Sequence, residues 1–251
     1  MSIHLILYSN NEPYNTTKKL LIESIFSYTK KKLYIHNYDL DIIKTKEWFH
    51  LIMNLPKIYK LGMRDGYYNS WKAFIVKEVY TIMNDNDILY YVDCSQYYKI
   101  GFTENIDKLC DIANTKLCIA GSVGNDIKNN TINCCDNIIV WDIIIPNKDN
   151  YINLDKLHVL NSWFLIKKCH QNNKFINEWV FYSYYTDNNI KEPLVTYHHT
   201  VDQSIFNILV IKYNLPVFYS PNIDHNLNKD KNIVLNIINN DMDIEKYFIY
   251  L

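Results

Sequence analysis

The stretch GYYNSWKAFIVKEVYTIMNDNDILYYVDCS, residues 66–95, decides the fold. Phe74, Ile75, Val79, Ile82 and Met83 recur at helical spacing and predict an amphipathic helix opened by Trp71 and Lys72. Asn84, Asp85, Asn86 and Asp87 then break the helix. Ile88, Leu89, Tyr90, Tyr91 and Val92 form a continuous apolar and aromatic run, which predicts a strand covered on both faces. Asp93 follows at once, just past the strand's carboxyl end. Open α/β sheets bind their ligands there. A carboxylate in that place can hold a divalent cation and, through it, a diphosphate. It can equally cap the next turn, and spacing alone leaves both readings open.

Upstream, the pattern is that of a nucleotide-binding half. Residues 3–8 read as a strand, 9–13 as the loop at its carboxyl end, and 15–30 as a helix with Leu20, Leu21, Ile25 and Phe26 facing inward. Residues 33–36 predict a second strand and residues 42–53 a second helix. Strand, helix, strand, helix is the opening of a doubly wound sheet. No G-x-G-x-x-G follows the first strand, which argues against a dinucleotide dehydrogenase.

Downstream, residues 106–113 read as helical and residues 117–121 as a strand. The Asn-rich stretch 126–137 reads as a loop or insertion, and residues 138–145 as strongly β-forming up to Pro146. Residues 159–166 leave a loop and enter a strand, and 174–184 form a helix carrying Phe175, Trp179 and Phe181. Asp202, Gln203 and Ser204 start another amphipathic helix, where aspartate and serine suit capping. Residues 215–219 predict a short edge strand, and residues 244–251 a packed aromatic tail.

With 251 residues, 48% hydrophobic and 21% charged, the chain can build one large α/β domain. A net charge of −1 provides no basic field for nucleic acid. The start lacks the charged and long apolar runs of a signal peptide, and no stretch reaches the ~20 apolar residues of a membrane helix. Six cysteines without C-x-x-C spacing predict reduced thiols and a cytoplasmic setting. The wealth of Asn, Ile, Lys and Tyr follows AT-rich codons.

Three segments in order carry a resemblance to a known family. These are Gly66-Tyr67-Tyr68 with Ser70-Trp71-Lys72 and Asp87 to Asp93, then Asn161 to Lys168 with Phe175 to Trp179, and then His198 to Leu209. Together they resemble nucleotide-sugar glycosyltransferases of GT-A type, found in bacterial polysaccharide clusters and in large DNA viruses. The resemblance covers roughly residues 62–215. It implies a single GT-A (Rossmann-like) α/β domain over residues 1–251, a mixed central sheet flanked by helices. The nucleotide-binding half would span about 1–95 and the acceptor side 96–251. A viral source would place the protein in the host cytoplasm or the virion.

What the resemblance implies for the site is specific. Tyr8, Ser9 and Asn10 stand where the base and ribose are held. Trp71, Lys72 and Arg64 stand near the diphosphate, Tyr91 and Asp93 at the strand end, and Asn161 and Ser162 beside the transferred sugar. A lysine at a helix start opposes the helix dipole, so helix stability does not account for Lys72. Trp163 reads as a core residue, with stacking on the sugar as the alternative. Asp93, Ser95 and the late His225 are the implied ligands for Mn²⁺ or Mg²⁺. Asp202 with Gln203 would act on the acceptor hydroxyl, Asp202 as general base.

The chain departs from the family pattern at three places. Ala73 replaces a proline after the lysine, Ser95 replaces a glycine, and His199 replaces an arginine. One carboxylate at Asp93 is a thin metal site. A non-catalytic relative that binds nucleotide-sugar or glycan is therefore the alternative. A nucleotidyltransferase ranks last, because residues 9–13 lack the glycine-rich basic loop it needs.

Overall fold

In a computed structural model, the described residues are 1–53, 71–94, 106–119, 142–146, 159, 161–189, 201–218 and 248–249. The sheet is built from β1 (Ile3–Tyr8), β2 (Leu33–Tyr38), β3 (Ile88–Val92), β4 (Cys118–Ile119) and β5 (Trp163–Lys167). Their order is β2-β1-β3-β5-β4. β1 pairs in parallel with β2 and with β3, while β5 runs antiparallel to β3 and to β4. The helices are α1 (Tyr14–Tyr28), α2 (Leu40–Lys44), α3 (Phe49–Met53), α4 (Trp71–Ile82), α5 (Ile106–Lys116), α6 (His170–Asn189) and α7 (Val201–Lys212). A separate antiparallel pair joins β6 (Val217–Phe218) to β7 (Phe248–Ile249). The molecule is thus mixed α/β with a mixed sheet between helices, compatible with a Rossmann-like fold.

Side chains of β3 alternate between two cores. Ile88, Tyr90 and Val92 pack with Leu21 and Ile25 of α1 and with Leu109 and Ala113 of α5. Leu89 and Tyr91 pack with α4, α6 and α7. β5 alternates in the same way, Trp163 and Leu165 to one side, Phe164 and Ile166 to the other. This is the period-two pattern of a strand buried on both faces. Trp163 is therefore a core residue, 2% exposed. Both cores draw on β1 and β5, so one sheet ties the two halves of the chain together.

Several elements differ from expectation. Leu20 and Phe26 are exposed, as is Ile82, because one face of each helix is only wide enough for its neighbours Leu21, Ile25, Val79 and Met83. The expected helix over residues 42–53 is two short ones. Thr45 and Lys46 donate back three residues, to the carbonyls of Ile42 and Ile43, and end the first. Residues 142–144 are helical and not extended, with Ile144 and Ile145 buried. Asn86, in the loop before β3, sits at φ 70°, a left-handed place that asparagine tolerates. The free cysteines Cys94, Cys110 and Cys118 are buried, and burial raises the thiol of Cys94 to about 12 and holds the other two higher still. None of the described helices is long and apolar enough to cross a membrane.

Candidate functional site

The chain's direction brings the site together. β1 feeds α1 on one face of the sheet and β2 at its side, whereas the path from β2 to β3 runs through α4 on the opposite face. The carboxyl ends of β1 and β3 therefore flank a topological switch point. α4 runs back against β3, so its first residues, Trp71 and Lys72, arrive at that edge. β5 is antiparallel, so the residues before it, Asn161 and Ser162, arrive there as well; Ser162 O accepts the Asp93 N–H at 2.8 Å. The start of α7 adds Asp202.

At the centre stands Lys72, 3% exposed. Its Nζ lies 3.6 Å from Asp93 Oδ1 and 3.8 Å from Asp202 Oδ2. It donates to Asn161 Oδ1 at 3.2 Å and Asn161 O at 3.4 Å, and lies 4.9 Å from the centre of the Tyr91 ring. Asn161 Nδ2 donates to Asp202 Oδ2 at 2.7 Å. The Tyr91 hydroxyl donates to Asp93 Oδ1 at 2.6 Å. Burial first, and then the charge of Asp93, push this phenol well above its ordinary value, so it stays a donor. One ammonium thus faces two carboxylates, and every short polar contact around it is charge-assisted.

Asp93 is the open member of this group, its side chain 33% exposed. Its Oδ2 has no partner among the described residues, whereas Oδ1 is taken by Tyr91 and Lys72. Asp202 is 1% exposed. The expected acceptor base is therefore placed as the internal counter-ion of Lys72, because Asn161 and Lys72 enclose its carboxylate. Gln203 beside it is half-buried.

On the β1 side, the ring of half-buried Tyr8 packs on Trp71 with centroids 4.0 Å apart. Ser9 is buried, and its hydroxyl donates to Asn15 Oδ1 at 2.6 Å, which fixes the turn into α1. Asn10 is exposed next to it. Two buried donors at this edge, Trp71 Nε1 and Ser162 Oγ, have no hydrogen-bond partner among the described residues. Unmade hydrogen bonds of this kind cost about 1–3 kcal/mol, so each calls for a partner such as water, an ion or a ligand. Arg64, Ser95 and His225 lie outside the described residues.

Only part of a divalent-cation site is supplied by the described residues. No three His, Cys, Asp or Glu side chains converge among them. Asp93 Oδ2 offers a single oxygen. Such a site fits Mg²⁺ or Mn²⁺ only when ligand phosphates and water fill the remaining positions, a common arrangement for these ions.

One group that the sequence reading does not single out is Lys18 of α1, buried at the same edge on the opposite face of the sheet from Lys72. Its signal is periodicity: it precedes Leu21 by one helical turn and Ile25 by two, and so lies on the apolar stripe.

No protein-family model matches this chain, and no curated protein matches it. Fold and site define an α/β protein with a cluster of charged side chains, Asp93 partly exposed among them, at the switch point of its sheet.

Proposed function

We propose that the chain is a GT-A type glycosyltransferase that moves a sugar from a nucleoside-diphosphate sugar to a hydroxyl of a glycan or another acceptor. The observation that carries this reading is the convergence of Lys72, Asp93, Asn161 and Asp202 at the β1–β3 switch point, beside the Tyr8–Trp71 stack. In this reading the Tyr8 and Trp71 rings border the nucleoside. The Trp71 N–H and Ser162 hydroxyl, unpartnered among the described residues, meet donor oxygens. Asp93 faces the ribose or a cation through Oδ2, while Tyr91 and Lys72 fix its other oxygen. Asp202 and Asn161 hold the Lys72 ammonium in place, so the rate enhancement rests on positioning and fixed charge. A divalent ion, where one is used, would be held by Asp93 and would supply charge to the departing diphosphate.

A second reading, a nucleotide-sugar or glycan binder without turnover, draws on the burial of Asp202, which leaves no exposed base at that position. One experiment separates the two. Melting temperature and donor hydrolysis are measured with a panel of nucleotide sugars, with and without Mn²⁺, for the wild type and Asp93→Ala. A donor at 100 times its Kd should stabilise the fold by ~2.7 kcal/mol. A shift with turnover for one donor, both lost in Asp93→Ala, supports the enzyme. A shift without hydrolysis or transfer supports the binder. No shift with any donor removes the enzyme and the nucleotide-sugar binder.

A further inference from the structure

Lys18 is 8% exposed, although a lysine stem ordinarily lies along the surface and leaves its ammonium in water. Among the described residues the ammonium has no hydrogen-bond partner and no carboxylate at ion-pair distance. Its electrostatic neighbours are the Cys94 thiol and the Asp39 carboxylate. Cys94 directly follows Asp93 beyond β3. Asp39 follows β2 and caps α2 by accepting the Ile42 N–H at 2.8 Å. Lys18 thus belongs to the carboxyl edge of the sheet, between the ends of its three parallel strands. Burial lowers its affinity for a proton, against the pull of those two neighbours.

Local structure does not account for a lysine there. A cation near a helix N-terminus opposes the helix dipole. Three first-turn N–H groups of α1 already have acceptors: Asn15 N–H reaches Asn11 O, Thr17 N–H reaches Pro13 O, and Thr16 N–H reaches Glu12 Oε2. On the other face, Lys72 meets both Asp93 and Asp202, so that group of three carries one positive and two negative charges. A diphosphate laid over this edge finds no net positive charge in that group. Lys18 is a buried cation at the same edge with no carboxylate at ion-pair distance among the described residues, Asp39 acting on it only from farther off.

We propose that Lys18 is the anion-receiving group of the site, its ammonium taking a phosphate oxygen of the donor's nucleoside diphosphate from the α1 face of the sheet. The nucleotide part rests on the glycosyltransferase reading; the anion site does not. The test is calorimetric titration of the full chain with UDP, GDP, their nucleosides and inorganic pyrophosphate, for the wild type, Lys18→Gln and Lys18→Arg. Lys18→Gln should weaken diphosphate binding about tenfold or more, as loss of a charged hydrogen bond does. It should leave nucleoside binding unchanged, and Lys18→Arg should retain most of the affinity. The ligand-free Lys18→Gln protein should melt at or above the wild-type temperature, because the burial cost of the charge outweighs the distant pull of Asp39. Wild-type diphosphate affinity in Lys18→Gln overturns the proposal, as does a lowered melting temperature with equal loss of nucleoside binding. Lys18-dependent pyrophosphate binding with no nucleotide or nucleotide-sugar binding keeps the anion site and removes the glycosyltransferase reading. Wild-type protein that binds none of these ligands removes both.

Discussion

Lys72 Nζ lies 3.8 Å from Asp202 Oδ2 and joins the first turn of α4 to the first turn of α7 inside the carboxyl edge of the sheet. Both side chains are almost fully enclosed, at 4% and 1% exposure. Removing one partner of such a pair leaves a buried charge without compensation, and that loss exceeds the net worth of the pair itself. Lys72→Met should therefore destabilise the fold by about 3–5 kcal/mol. The double variant Lys72→Met with Asp202→Asn should recover part of this loss, because the buried carboxylate that has lost its ammonium is neutralised. Urea unfolding of the two variants and the wild type provides the comparison. A Lys72→Met protein as stable as the wild type would show that the carboxylates do not depend on it.

Ser162 separates ligand binding from folding more cleanly. Its carbonyl receives the Asp93 N–H, and its hydroxyl is buried with no partner among the described residues. Ser162→Ala keeps the backbone contact and deletes only the unmet group. Unfolding free energy should stay within about 1 kcal/mol of the wild type or rise. Affinity for a nucleotide-sugar that stabilises the wild type should fall about fivefold to tenfold, the worth of one hydrogen bond. Lost stability with unchanged affinity would make the hydroxyl a packing group.

The amino end of the sheet predicts a pH dependence. His4 Nδ1 and His36 Nε2 are 3.0 Å apart, and Tyr34 stacks on His4 with centroids 4.7 Å apart. One nitrogen of the shared bond must accept, so two imidazolium ions do not fit. His4 Nε2 stands 3.4 Å from Asp87 Oδ2, a charge contact whose alignment falls short of a hydrogen bond. Burial, and then the charge of His4, lower His36 to about 4 against the pull of Glu78. Burial lowers His4 despite Asp87. In the unfolded chain both histidines titrate near 6.5. Below that pH the unfolded state binds more protons than the folded one, so stability falls as pH drops from 6.5 toward 4. Asp87, held below its ordinary 3.8 despite burial, changes charge below this window. Melting temperature should drop by several degrees between pH 7 and pH 5, and His36→Gln should flatten the profile. An unchanged slope in that variant would place the titrating groups elsewhere.

The legible parts of this fold are those where one physical rule acts without competition. The run Ile88 to Val92, short, β-branched and aromatic and bounded by turn residues, reads as a strand buried on both faces, and its direction puts Asp93 at the ligand edge. Lys72 stands out because it opposes its helix dipole. The partnership between Lys72 and Asp202 is not legible, since only the antiparallel course of α4 against β3 and the arrival of α7 bring them together. Lys18 lies in the polar run Asn15-Thr16-Thr17-Lys18-Lys19, and only its register with Leu21 and Ile25 tells it from the exposed Lys19. The short helices α2 and α3 escape periodicity because tertiary contacts set their break. Lys46 and Trp48 between them both bind Glu78 of α4, with Trp48 Nε1 at 3.0 Å.

The contact between α6 and α7 offers a test of which interaction holds the second half of the chain on the sheet. Phe206 of α7 is fully buried against Phe164 of β5 and Trp179 of α6, with ring centroids 5.1 and 5.0 Å apart. At the rim, Lys212 of α7 donates to Glu178 of α6 at 2.7 Å, with both side chains more than a fifth exposed. Truncating a buried aromatic loses transfer free energy and leaves a cavity, about 3–5 kcal/mol for Phe206→Ala. A partly exposed ion pair contributes about 0–1 kcal/mol, since water competes for both partners. Glu178→Gln should therefore cost less than about 1 kcal/mol in urea unfolding, several times less than Phe206→Ala. α7 also delivers Asp202 to Lys72, so Phe206→Ala should weaken ligand binding as well, whereas Glu178→Gln should leave it intact. Equal losses from the two variants would mean that the rim pair, and not the aromatic cluster, positions α7.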